Sequence, residues 1–262
     1  MLAHVPAGDL PVPSVVDALA DGDPVRPVWE NGRGGLTFEI VAPEGRRFVK
    51  WAPADSGIDL DAEATRLRWA AGRTPVPRLL ATGADVSGSW LVTAALPGVN
   101  AVTPPWSEDP RTAATAIGRG LRALHDGLPV AACPFSWTTP HRLARARGSG
   151  LDRTRWHSDH ACLSLTEALA RLATPPPVDR LVVCHGDACA PNTLIGDDGA
   201  WSGHVDLGAL GVADRWADLA VATWSLDWNY GPGWQPALLD AYGVDPDPER
   251  TGYYRLLWDL CP

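Results

Sequence analysis

Lysine is almost absent from this sequence. Lys50 is the only one in 262 residues, and arginine supplies nearly all of the positive charge. Methionine occurs once and phenylalanine three times. Large apolar volume must therefore come from leucine, valine and an unusual thirteen tryptophans. No apolar run approaches the ~20 residues that a bilayer-crossing helix requires, and the beginning of the chain lacks a basic-then-apolar leader. The expectation is a cytoplasmic protein with no membrane partner. Cysteine is sparse: residues 133, 162, 184, 189 and 261 show neither paired metal-ligand spacing nor an even framework, so buried thiols are expected rather than disulfides or zinc. The net charge of −9 argues against nucleic acid as a partner and suits a cationic small molecule.

The chain does contain two differently patterned halves. A possible short helix at Ser14–Ala20 is followed by strand patterns at Val28–Glu30, Leu36–Val41, Arg47–Trp51, Leu79–Thr82 and Ser89–Ala95. One helix, Leu60–Ala71, interrupts them. From about residue 98 the pattern is mainly helical, at Thr112–Asp126, Pro140–Arg147, Leu163–Ala173, Arg215–Trp224, Trp234–Tyr242 and Pro248–Leu260. Short strands at Leu181–Cys184, Thr193–Ile195 and Trp201–Val205 break up that half. These patterns predict an α+β chain, with a sheet-rich part over residues 1–97 and a mainly helical part over 98–262.

The richest segment runs from His185 to Asp218. It holds His185-Gly186-Asp187, Asn192 five places after the aspartate, and Asp206-Leu207-Gly208 beyond a predicted hairpin. Phosphoryl transfer needs a carboxylate to orient the attacking hydroxyl, and oxygen ligands for the Mg²⁺ that neutralises phosphate charge. Asp187 fits the first task; Asn192 and Asp206 fit the second. Cys184 and Cys189 flank the aspartate and are read as packing residues. In the first half, Lys50 ends an apolar strand and Glu63 lies on the following helix, the pairing that steadies a phosphate-binding lysine. The glycines around Gly34 could let backbone amides approach phosphates, though Asn31-Gly32 is equally an ordinary hairpin turn.

These residues together resemble the aminoglycoside phosphotransferase family, and within it the 3′-phosphotransferases. The resemblance rests on Leu121–His125 with Cys133-Pro134-Phe135, on Val183–Asn192, on Gly203–Gly208, on Gly211–Arg215 and on Tyr253–Leu257. It implies a bilobal protein-kinase-like fold, with an N-terminal antiparallel sheet plus helix and a mainly helical C-terminal lobe. It implies Asp187 as base, Asn192 and Asp206 on Mg²⁺, Lys50 with Glu63 on the phosphates, and the backbones of Ala94 and Leu96 on adenine. The nucleotide would be ATP, with GTP as an alternative. His185, Asp214 and Asp218 would brace the catalytic loop. The acceptor would be a cationic aminoglycoside or another amino sugar, with Asp152, His157, Asp227, Trp228 and Asp259 near it. Several positions depart from the family pattern: Ala209 stands where arginine is usual, Trp224-Ser225 where Arg-Asp is usual, and Trp258-Asp259-Leu260-Cys261 where Asp-Glu-Phe-Phe is usual.

Overall fold

The computed structural model describes residue 6, residues 10–149, residue 153 and residues 156–261. Two compact units emerge: residues 1–72 with 76–96, and residues 73–75 with 97–262.

The first unit is a five-stranded antiparallel sheet, β1 (Val25–Glu30), β2 (Leu36–Ala42), β3 (Gly45–Pro53), β4 (Leu79–Ala84) and β5 (Gly88–Ala94), in the order β1-β2-β3-β5-β4. Helix α1 (Ser14–Ala20) packs Val16 and Ala20 against Phe38, Ile40, Val49 and Val92 of the sheet. Strand side chains alternate between faces, so Val49 enters that core and Lys50 is turned to the other face. Helix α2 (Leu60–Ala70) buries Leu60, Glu63, Ala64, Leu67 and Ala70, a stripe at helical spacing, and packs against β4 and β5. Asp59 caps its start by accepting a hydrogen bond from Ala62 N at 2.8 Å, which fixes the register that turns Glu63 inward.

The second unit is built on long helices. α3 (Pro110–Gly127) packs against α7 (Gln235–Tyr242), and α6 (Trp216–Tyr230) packs against α8 (Pro248–Leu260). α6 is buried on all sides from Trp216 to Leu226, the mark of a helix at the centre of a unit. α4 (Thr139–Ser149) and α5 (Leu165–Leu172) both pack against α8. Strand β7 (Leu181–Cys184) pairs antiparallel with β10 (Gly211–Asp214), and β6 (Val99–Asn100), β8 (Thr193–Ile195) and β9 (Trp201–His204) form a second small sheet.

Several boundaries depart from the sequence expectation. α6 continues past Trp224 to Tyr230, because nothing breaks it before Gly231, which adopts φ 77°. Asp227 and Trp228 are therefore helical. α5 begins two residues late because Ser164 and Glu167 form a reciprocal capping box. The cysteines are all free, but only Cys184 and Cys261 are buried; Cys162 is exposed, and Cys133 and Cys189 are half-buried. No helix among the described residues is long and apolar enough to cross a membrane.

Candidate active site

In the first unit, Lys50 Nζ donates to both carboxylate oxygens of Glu63, at 2.7 and 2.9 Å. Glu63 is 5% exposed, and the lysine reaches it on the buried face of α2. Gly34 adopts φ 80° in the β1–β2 turn. There Asn31 Oδ1 accepts from the N–H groups of Arg33 and Gly35, both at 2.9 Å, and Gly34 N–H donates to Asn31 O. The asparagine side chain thus fills the position an anion would take. At the end of β5, Ala94 N–H donates to Arg78 O and Ala95 N–H to Arg46 O.

In the second unit, the pairing of Cys184 with Gly211 brings two loops together: one leaves β7 and carries Asp187, and the other enters β10 and carries Asp206. Gly186 has φ 87°, and a Cβ there would lie 2.3 Å from Ala209 O, so only glycine allows the loops this approach. Asp218, fully buried on α6, accepts from His185 N at 2.6 Å and Gly186 N at 2.9 Å. His125 Nε2 lies 2.9 Å from the same carboxylate and its Nδ1 lies 2.8 Å from Tyr242 Oη. Burial alone would raise the Asp218 carboxyl, but His125, His185 and the loop amides outweigh it and hold it below its ordinary range. Asp214 accepts from Asp179 N at 2.6 Å and Trp216 N at 2.9 Å, tying down the end of β10.

His185 joins the two loops. Its Nε2 donates to Val205 O at 2.9 Å and its Nδ1 accepts from Asp187 N at 3.3 Å. Val205 N in turn donates to Asn192 O at 3.0 Å. Asp206 follows directly, in the left-handed region at φ 63°. Asn192 Nδ2 donates to Asp187 O at 2.9 Å and to Asp187 Oδ2 at 3.2 Å. With its nitrogen committed, the amide has its oxygen left for a ligand. Cys189 Sγ donates to Asp187 Oδ1 at 3.1 Å. Burial, and then the negative charge of Asp206, push the Asp187 carboxyl above its ordinary range, against the opposing pull of Cys189, His185 and Asn192. A site built from one acid, one amide oxygen and a second acid destabilised by its like-charged neighbour has the hard-oxygen donor set that suits Mg²⁺. The Cys184 and Cys189 thiols are both pushed well above their usual values, chiefly by burial, so neither offers a thiolate nucleophile.

Near the end of the chain, Asp259 is buried rather than a solvated terminal residue. Its Oδ2 accepts from His160 Nδ1 at 2.5 Å and His157 N at 3.1 Å. The His157 ring stands 5.9 Å from Trp228. Asp227 turns away from this group and accepts from Gln235 Nε2 at 2.7 Å. Asp152 lies outside the described residues. Ser225 escaped the sequence reading: its hydroxyl accepts from Ala190 N at 2.9 Å and so anchors the catalytic loop to α6. A buried serine inside an apolar helix was the available signal, since such a hydroxyl needs a partner. Arg142 was missed as well; it is fully buried and donates to Cys261 O at 2.7 and 3.0 Å, closing the end of α8.

A family model described as "Phosphotransferase enzyme family" matches residues 25–254. An aminoglycoside 3′-phosphotransferase of Streptomyces fradiae is 39% identical over 256 residues, covering 88% of this chain and 92% of that protein. A streptomycin 3″-kinase of Streptomyces griseus is 37% identical over 232 residues, covering 81% and 84%. The structure of aminoglycoside phosphotransferase APH(3″)-Id from Streptomyces rimosus, in complex with ADP and streptomycin, superposes with a TM-score of 0.74 at 28% identity, covering 95% of this chain and 98% of that one.

Proposed function

The chain belongs to the phosphotransferase enzyme family, and from that premise we propose that it transfers the γ-phosphoryl group of ATP to the 3′-hydroxyl of an aminoglycoside, and so confers resistance to it. The observation that carries this reading is the Asp187 carboxylate, with one oxygen steadied by Asn192 and the other by Cys189, on a loop that Asp218 and His185 hold rigid. A general base works best when its position is fixed and its basicity exceeds that of a free carboxylate. Both conditions are met at Asp187.

Asp187 would orient the acceptor hydroxyl and take its proton as the new O–P bond forms and the bond from the γ-phosphorus to the bridging oxygen breaks, releasing ADP. Lys50, kept straight by Glu63, would bind the nucleotide phosphates, and the Ala94 carbonyl and Leu96 N–H would meet the base. Asn192 and Asp206 would hold Mg²⁺, whose contribution when bound is to neutralise phosphate charge. The Gly34 turn would bind phosphate only after Asn31 gives up its amides.

The test is ADP release from the purified protein with a panel of aminoglycosides, followed by locating the phosphate on the product by NMR. Asp187→Ala should lower kcat at least ~100-fold while nucleotide affinity stays nearly unchanged. Near-normal turnover in that variant, or no acceptor-dependent ADP release by the wild type, would remove the assignment.

A further inference from the structure

Three tryptophans and two histidines form one aromatic cluster beside the catalytic loop. Trp224 and Trp228 sit one turn apart on α6, with ring centroids 5.0 Å from each other, and Trp258 of α8 lies 6.3 Å from the first and 5.6 Å from the second. His157 stacks edge-on to Trp224 at 4.5 Å and His160 does so at 5.6 Å. Trp224 is 2% exposed and forms the floor, Trp258 and His157 are half-buried, and Trp228 is 40% exposed. The cluster is tied to the chemistry: Ser225, the neighbour of Trp224, holds the backbone of the loop that carries Asp187.

Of the described carboxylates near the cluster, Asp259 and Asp227 are committed, while Asp159, 3.3 Å from His157 Nδ1 with 53% of its side chain exposed, is open. Asp259 is spent on His160 and on the His157 N–H, with 2% of its side chain exposed. Asp227 has one oxygen on Gln235 and the other shut away from solvent. The Arg255 guanidinium lies 5.4 Å from the Trp224 ring and adds positive charge. A polyamine arriving here would meet rings, a cation and, of these three acids, only Asp159 open. The electron-rich face of an indole attracts the polarised C–H bonds on a sugar face, and this attraction depends little on net charge.

We propose that Trp228 and Trp258, on the Trp224 floor, form the acceptor-ring subsite, holding a sugar by its C–H face and selecting acceptors that carry few amino groups over heavily aminated ones. This rests on the phosphotransferase reading above and specifies its substrate class. Trp228 is exposed enough for replacement to leave the fold intact, and nucleotide KM serves as the internal control.

The experiment measures acceptor and nucleotide KM for the wild type, Trp228→Ala, Trp228→Phe and Trp258→Ala, across acceptors graded from one amine to five or so. Trp228→Ala and Trp258→Ala should raise acceptor KM about tenfold, Trp228→Phe should keep most of the affinity, and nucleotide KM should not move. Wild-type acceptor KM should change by less than about twofold from low to high salt, because stacking is not screened. The wild type should also favour acceptors with the fewest amines. Unchanged acceptor KM in both alanine variants, or a steep salt dependence, would overturn the subsite while leaving the kinase reading standing. A wild type that releases no ADP with any acceptor would overturn both.

Discussion

Lys50 and Glu63 show how far one residue pair can carry a reading. The lysine stood out in the sequence because it was alone, and the glutamate because it lay on the next helix; the structure joins them by two hydrogen bonds. The cap at Asp59 sets the register of α2, which buries Glu63 and leaves Asp61 exposed. Glu63 carries its charge on a buried face, so removing Lys50 takes away the cation that directly hydrogen-bonds it. Lys50→Ala is expected to raise nucleotide KM and lower kcat, with Lys50→Arg rescuing poorly because a forked guanidinium does not replace a point ammonium. Glu63→Gln should act in the same direction but more mildly. Steady-state kinetics at varied ATP check all three. Roles that depend on side-chain orientation were not legible at this scale. Asp259 reads as an open carboxylate in the sequence, yet in the fold it is spent on His160 and the His157 N–H.

At the scale of elements, the long amphipathic segments were the most readable. α3 and α8 follow their expected extents closely, because apolar spacing and the prolines near their starts mark them. β10 was not legible: four residues, Gly211–Asp214, show no alternation, and the strand is held by its neighbours, β7 on one side and Phe135–Trp137 on the other. The α3–α7 contact has a similar hidden requirement. Gly118 lies against α7 so closely that a Cβ would fall 2.3 Å from Leu238 O. Gly118→Ala should therefore lower stability by about 1–3 kcal/mol, despite alanine's better helix propensity. Chemical denaturation measures this, and a stabilised variant would mean the two helices can separate at little cost.

For the whole molecule, the balance between composition and architecture is instructive. Arginine excess and abundant alanine say little about the fold, whereas the change from strand spacing to helical spacing near residue 98 falls close to where the chain passes from one compact unit to the other. Global stability should carry a pH signature from His204. That ring is 1% exposed, has no hydrogen-bond partner among the described residues at either nitrogen, and is pushed well below its ordinary pKa by burial and then by His185. Above the unfolded value of about 6.5 both states are neutral there and stability is unaffected. Below it, the unfolded chain takes a proton that the native ring resists, so stability falls by up to about 1.4 kcal/mol per pH unit from this group. Thermal midpoints should decline as pH drops below about 6.5, and His204→Leu should flatten that decline. An equal slope in the variant would place the titrating group elsewhere.

The solitary lysine also defines how the protein meets electrophiles. Outside the N-terminus, the chain offers acylating reagents a single amine, and that amine is clamped to Glu63 with 23% of its side chain exposed. Reagents that decorate most proteins at many points can add at most one side-chain mark to this body, and they place it on the residue proposed to hold the phosphates. Mass added beyond a mark at the N-terminus then counts modification at Lys50. Attachment chemistries that rely on lysine amines would couple the protein through Lys50 alone.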